Sequence, residues 1–205
     1  MTAAASDRVR AYYERTASQY DASMRLAERL LLGDAREWAA ARARGAVLEV
    51  GVGTGRNLPF YSDVASLVGI DLSPAMLELA RQRAHDLASS IDLREASAES
   101  LPFDDGSFDT VVCTLTLCSV ADDRRAATEM ARVLRRGGKL ILVEHVRSPL
   151  WAIRLIEQVL EPLSVRLEQD HLLRDPMDYL PDSGFQIESC ERTKLGIIER
   201  VVARK

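Results

Sequence analysis

The chain has 205 residues, a net charge of −4, 47% apolar residues and 28% charged residues. These values suit one globular domain with a sizeable core, and the negative balance excludes an electrostatic footprint for a nucleic-acid backbone. No apolar run approaches the roughly 20 residues of a membrane span, and MTAAASDRVR at the start has no apolar signal segment.

Residues Ser6 to about Arg44 read as helical, with weak breaks near Thr16–Asp21 and at Gly33. Strands are predicted at Ala46–Val50, Leu67–Ile70, Ile91–Arg94, Thr110–Thr114 and Lys139–Val143. Helices are predicted between them at Asn57–Tyr61, Pro74–Ala88 and Asp122–Arg135. Ser73 and Pro74 form a favourable helix start, and Gly137-Gly138 forms the expected stop for the third helix. Helices at Trp151–Glu168 and Pro176–Ser183 follow, then strands at Gln186–Thr193 and Ile197–Ala203. Strands alternating with helices predict a parallel sheet with right-handed crossovers. No linker, repeat or low-complexity segment is visible.

The most informative stretch is Glu49-Val50-Gly51-Val52-Gly53-Thr54-Gly55, at the end of the first strand. Asp71 follows Gly51 by 20 residues, at the end of the second strand. Glycines let the backbone turn tightly and approach a ligand, and a carboxylate at the next strand tip can grip a ribose diol. The spacing is G-x-G-x-G rather than the dinucleotide G-x-G-x-x-G, and Arg56 stands where the latter needs glycine. Glu49 would repel a pyrophosphate but tolerate an ammonium. S-adenosylmethionine carries an ammonium, a ribose, an adenine and no phosphate, and is the cofactor expected here. A ligand-free tight turn is the plain alternative.

Val47 to Ser148 resembles a class I S-adenosylmethionine-dependent methyltransferase of the type 11 kind, which includes the ubiquinone/menaquinone C-methyltransferases. The matching segments are Leu48–Asn57, Gly69–Arg81, Ala96–Cys113 and Glu129–His145, in the family's order and spacing. Val111–Val120, Glu144–Val146 and His171–Asp175 resemble the thiol-methyltransferase-like branch over shorter stretches. The resemblance implies an α/β, Rossmann-like fold. Its sheet has seven strands, mostly parallel, with an antiparallel C-terminal hairpin, helices on both faces and an N-terminal helical lid. One domain, 1–205, would divide into a lid (1–45) and a cofactor-binding core (46–205).

The resemblance also implies site residues. Gly51, Gly53 and Gly55 would face the methionine moiety, with Glu49 and Asn57 from the same matching segment counted as cofactor-binding. Asp71 would hold the ribose, with Leu72 and Met76 near the adenine, although Met76 is as readily plain core. Ser97, Ala98 and Glu99 follow the third strand; the family commonly has Asp where Ser97 stands, so the backbone at Ala98 becomes an alternative reader of the ring. Thr114 and Leu115 would lie beside the reacting methyl group. Tyr20-Asp21 resembles the family's Tyr-Asp pair in the closing segment, and Tyr20 would touch the cofactor or line the acceptor pocket.

The sulfonium supplies the electrophile, so the protein must align a nucleophile and exclude water. His145 and His171 are the candidate bases if the acceptor must lose a proton; His85 is read as pointing away. Three cysteines without framework spacing suggest a reducing cytoplasm and no metal-binding cluster. Cys113 is expected in the core, Cys118 near the pocket and Cys190 in the hairpin. Leu150–Leu167 is amphipathic and reads foremost as core or pocket wall, with peripheral membrane contact as the alternative. The function expected is methyl transfer to a small, apolar or amphipathic acceptor through O, N, S or C. The alternatives are a quinone-type C-methyltransferase, a thiol S-methyltransferase, a non-catalytic cofactor-binding partner protein and a nicotinamide oxidoreductase.

Overall fold

The computed structural model describes residues 2–87 and 89–205. Among them, seven strands form one sheet in the order β3-β2-β1-β4-β5-β7-β6. These are β1 (Ala46–Val50), β2 (Ser66–Asp71), β3 (Asp92–Glu95), β4 (Phe108–Thr114), β5 (Leu134–His145), β6 (Gln186–Thr193) and β7 (Ile198–Arg204). The first five pair in parallel, while β7 inserts antiparallel between β5 and β6. The expected hairpin is therefore present. The order reverses at β1 and β4, where an open parallel sheet leaves a crevice beyond its carboxyl ends.

The central strands carry apolar runs because both faces are covered, with Glu49, Thr110, Thr114 and Glu144 as buried polar exceptions. Leu48, Val50, Val111, Cys113, Leu140 and Leu142 point to one face, against Met130 and its neighbours on α4 (Asp123–Val133). Val47, Val112, Ile141 and Val143 point to the other, against Ala35 and Ala39 of α2 (Ala35–Ala40) and Leu77 and Ala84 of α3 (Pro74–Asp86). The period of two along each strand sorts the side chains between the layers. Cys113 lies fully buried in the first layer, as expected.

Several expectations change. The N-terminal segment is one continuous helix, α1 (Thr2–Ala27), followed by a wider π turn over Glu28–Leu32; only the break at Gly33 is real. Only one 3₁₀ turn, Leu58–Phe60, stands where a helix over Asn57–Tyr61 was expected. The predicted end of α3, Ala88, lies outside the described residues; the helix is described to Asp86. Gly137-Gly138 lies within β5, since α4 already ends where Leu134 turns extended (ψ 137°). The expected helix over Pro176–Ser183 is a single turn, Pro176–Asp178.

The helix α5 (Trp151–Glu168) occupies its predicted span, but its apolar stripe faces outward. Trp151 is 81% exposed and Val159 72%, with Leu155, Ile156, Leu163 and Leu167 also exposed. The reading of this stripe as core or pocket wall is thus corrected. Glu157 is the residue α5 buries, accepting the backbone N–H of Ser148 at 2.9 Å.

Candidate functional site

A cleft of about 800 Å³ lies over the carboxyl ends of the strands flanking the reversal point. That volume is ordinary for a small-molecule site. Tyr20, Gly51, Gly53, Asp71, Leu72, Met76, Ser97, Ala98, Glu99, Thr114 and Leu115 all line it. Eleven positions from five separate chain segments are thereby brought to one place. Met76 is both wall and core, being 2% exposed.

The glycine loop is fastened to the end of β2. Asp71 Oδ2 accepts the Gly53 N–H at 2.8 Å, and Oδ1 accepts the Ser73 N–H at 2.9 Å. Each oxygen keeps a second lone pair for a further donor. Gly51 has φ +71°, and a Cβ there would lie 2.2 Å from Thr116 Oγ1, so a side chain is excluded. At Gly53 a Cβ would meet nothing within 4 Å, leaving open cavity against bare backbone.

Opposite β1, the loop after β4 is held from within. Leu115 takes the left-handed conformation at φ +52°, a strained position for a side-chain-bearing residue. The fully buried carboxylate of Glu144 accepts the N–H groups of Thr116 at 2.7 Å, Leu117 at 2.8 Å and Cys118 at 3.4 Å. This substitutes for the backbone partners that the turn removes.

The helix α1 crosses the cleft, contributing Ser6, Val9, Tyr13 and Tyr20 to its lining. It is tied down by ion pairs. Asp21 accepts Thr54 Oγ1 at 2.6 Å and Arg83 Nη2 at 2.5 Å. Burial opposes its ionisation, but those two bonds and the Arg56 charge hold it below the usual carboxylate range. Glu28 pairs with both Arg36 and Arg56. Arg56, read in the sequence only as a departure from the dinucleotide pattern, is thus a fastening point between the glycine loop and the helix above it.

Five predicted residues do not line the cleft; His145 lies in a second chamber beside it, and the other four lie in neither. Gly55 turns away; a Cβ there would strike Leu58 Cδ1 at 2.7 Å and Ala80 Cα at 3.3 Å, so its role is close packing of the loop on α3. Glu49 and Asn57 lie behind the loop, 2% and 0% exposed. Asn57 Nδ2 donates to Glu49 Oε1 at 2.9 Å and to Thr114 Oγ1 at 3.1 Å, while Arg36 donates to Asn57 Oδ1 at 3.0 Å. Their work is to rivet β1, β4 and α2 together. His171 lines neither cavity; its Nδ1 lies 3.3 Å from Glu161. Conversely, the sequence reading missed Tyr13 and Arg36 as wall residues. Nothing in the local pattern marks either one, because each is set by how a helix lands on the sheet.

A second chamber of about 870 Å³ adjoins the cleft, sharing Tyr13, Tyr20 and Leu115 with it. His145 and Cys118 line it, as do Tyr12, Met24, Leu31, Glu168 and Asp170. His145 Nδ1 and Asp170 Oδ1 are buried there without a hydrogen-bond partner. Burial, then Asp170 and Glu144, push the Cys118 thiol up, so it stays protonated. Burial, then Glu168, push Tyr12 up as well.

Three buried carboxyls give the stability a pH dependence. Burial raises Asp71 to about 6 and raises Glu49 and Glu144 to about 7, against their hydrogen bonds. Unfolded carboxyls titrate near pH 4, so between about pH 4 and 7 the native state binds more protons than the unfolded one. Stability from these groups is then full below pH 4 and declines as pH rises to 7. The melting temperature of the ligand-free protein should fall between pH 5.5 and 7.5, and less so in Glu49→Gln. A melting temperature that climbs through this range would contradict these assignments.

A family model described as a methyltransferase domain matches residues 48–142. Phosphatidylethanolamine N-methyltransferase of Cereibacter sphaeroides is 40% identical over 128 residues, covering 61% of this chain and 63% of that protein. The ubiquinone/menaquinone biosynthesis C-methyltransferase UbiE of Geobacter sp. strain M21 is 38% identical over 151 residues, covering 67% and 63%. This chain therefore spans less than two thirds of the length of either. Thiol S-methyltransferase TMT1A of Homo sapiens is 32% identical over 183 residues, covering 86% of this chain and 71% of that protein. Among solved structures, a SAM-dependent methyltransferase of Thermotoga maritima superposes with a TM-score of 0.69 at 24% identity, over 95% of this chain and 98% of that one, and shares the fold.

Proposed function

The chain belongs to the class I S-adenosylmethionine-dependent methyltransferase family, and from that premise we propose that it transfers a methyl group to a small apolar or amphipathic acceptor. The observation carrying this reading is the junction of the cleft with the second chamber at Tyr13, Tyr20 and Leu115. One cavity offers a place for the donor, the other a place for the acceptor, and they meet at the end of β4.

The cleft's residues fit S-adenosylmethionine. Gly53 presents bare backbone to open space, and Asp71 keeps free lone pairs for two ribose hydroxyls. Leu72, Met76 and Ala98 would flank the adenine, with Ser97 and Glu99 at its edge. Ser97 Oγ already accepts the Glu99 N–H at 3.2 Å, which favours the backbone at Ala98 as reader of the ring. Gly51, Gly53 and Tyr20 would hold the methionine end, and the Arg36 guanidinium in the wall suits its carboxylate. When bound, this cofactor supplies a methyl group on a sulfonium and leaves as S-adenosylhomocysteine.

What the protein adds is alignment and dryness. Thr114 and Leu115 would fix the reaction centre, with the Leu115 turn clamped by Glu144. His145, with its unpartnered Nδ1, replaces the His145/His171 pair as the candidate base. In this reading the chain is one domain, and the lid placed at residues 1–45 from the sequence is confined to α1 and the π turn after it, because Ala35, Ala39 and Ala43 are buried against the sheet. The lid opens by releasing Asp21 and Glu28 from Arg56 and Arg83.

Among the described residues, no helix is long and apolar enough to cross a membrane. The outward stripe of α5 supports peripheral contact with a membrane carrying an amphipathic acceptor. Free cysteines support a reducing, cytoplasmic setting, and the acidic balance supports a partner other than nucleic acid. The relatives are named for acceptors reacting at nitrogen, carbon and sulfur, so their names do not select one atom.

Incubation with methyl-labelled cofactor and a panel of amines, thiols, phenols and quinols tests the reading. Label should pass to at least one class. Binding of S-adenosylhomocysteine without transfer to any class would favour the non-catalytic partner instead.

A further inference from the structure

We propose that the second chamber takes an acceptor bearing an amine, held as its ammonium beside Asp170; this rests on the methyl-transfer reading above. The charges facing the chamber come from Glu28, Glu168 and Asp170, with His145 as the remaining titratable base, and none of the lining residues is Lys or Arg. Glu28 is already neutralised by Arg36 and Arg56. Glu168 and Asp170 are left to set the sign; Asp170 shares a hydrogen bond with the weakly donating Cys118 thiol, and its Oδ1 is buried with no N–H or O–H donor. A buried carboxylate oxygen without a donor is costly, and an ammonium is the ligand that relieves it most.

The aromatic lining points the same way. Tyr12 and Tyr13 meet edge to face at 5.1 Å between ring centres, and Tyr13 and Tyr20 at 6.2 Å. Tyrosine faces attract cations, and more strongly in a partly desolvated chamber. A thiolate or phenolate, the reactive form of those acceptors, would instead face two carboxylates. Beyond Tyr20 the wall becomes apolar, with Met24 on α1 and Leu31 in the π turn, which suits a hydrocarbon portion of the same acceptor.

Asp170 lines the same chamber as the junction residues Tyr13, Tyr20 and Leu115, and the next residue, His171, donates its backbone N–H to Cys118 O at 2.9 Å. The ammonium held there gives one proton to His145 Nδ1. Its nitrogen lone pair then forms the new N–C bond as the C–S bond breaks, with that electron pair returning to sulfur. The products are the N-methylated ammonium and the thioether.

Octylamine is a suitable probe, with octanethiol and 4-octylphenol as comparators. Calorimetry with S-adenosylhomocysteine present should show octylamine binding, and labelled methyl should pass to octylamine at least tenfold more efficiently than to either comparator. Asp170→Asn should raise the octylamine Kd and KM tenfold or more while leaving S-adenosylhomocysteine affinity unchanged. Glu168→Gln should give a smaller increase of the same kind and serves if the first variant does not fold. His145→Gln should lower kcat with little change in KM. Equal or better transfer to the thiol or phenol, absence of octylamine binding, or unchanged amine affinity in the carboxylate variants would overturn the proposal. Failure of S-adenosylhomocysteine itself to bind would instead remove the methyl-transfer reading.

Discussion

Replacing Asp71 with alanine is expected to weaken S-adenosylhomocysteine binding by about 1.5–3 kcal/mol, roughly 10- to 100-fold in Kd. The variant loses the acceptor for the ribose hydroxyls and also frees the Gly53 and Ser73 N–H groups that Asp71 now holds. Asp71→Asn keeps one acceptor oxygen and should fall between parent and alanine variant. Isothermal titration calorimetry on folded protein reads both. Parental affinity in Asp71→Ala would remove Asp71 from the ribose site.

Glu144→Ala should be the more severe change for stability, lowering it by about 3–5 kcal/mol. It strands the N–H groups of Thr116, Leu117 and Cys118 inside the protein. It also leaves the left-handed turn at Leu115 without its clamp. Glu144→Gln, which still accepts through one oxygen, should cost less. Urea titrations monitored by circular dichroism measure the difference. Equal midpoints for parent and Glu144→Ala would show that water replaces the carboxylate at no loss, and the clamp would be fictitious.

Much of the fold is legible in local sequence. The spans of β1, β6 and α5 match their predicted bounds, and Ser73-Pro74 starts α3 as expected, with Ser73 Oγ accepting the Met76 N–H at 3.3 Å. Such features depend on capping, apolar runs and turn residues that neighbours in sequence decide. The failures involve partners distant in the chain. Thr16 to Asp21 reads as a weak break because Thr, Ser and Asp are mediocre helix formers. Yet Tyr13 and Tyr20 are drawn to the cavities and Asp21 to Thr54 and Arg83, so packing overrides propensity there.

The site divides the same way. Gly51, Gly53 and Asp71 were readable because strand ends and a spacing of 20 residues place them. Gly55, Glu49 and Asn57 belong to the same motif but face its packing side, a distinction set by Leu58, Ala80 and Thr114 rather than by the motif. His171 was drawn in by residue type, and its ring meets Glu161 instead. The α5 stripe had the right period but no indication of which surface it would meet.

Calorimetric titration of the intact protein with S-adenosylhomocysteine, and separately with NAD, tests the central claim most directly. The account predicts saturable one-to-one binding of S-adenosylhomocysteine and no detectable heat from NAD. Saturable NAD binding together with no binding of S-adenosylhomocysteine would contradict it.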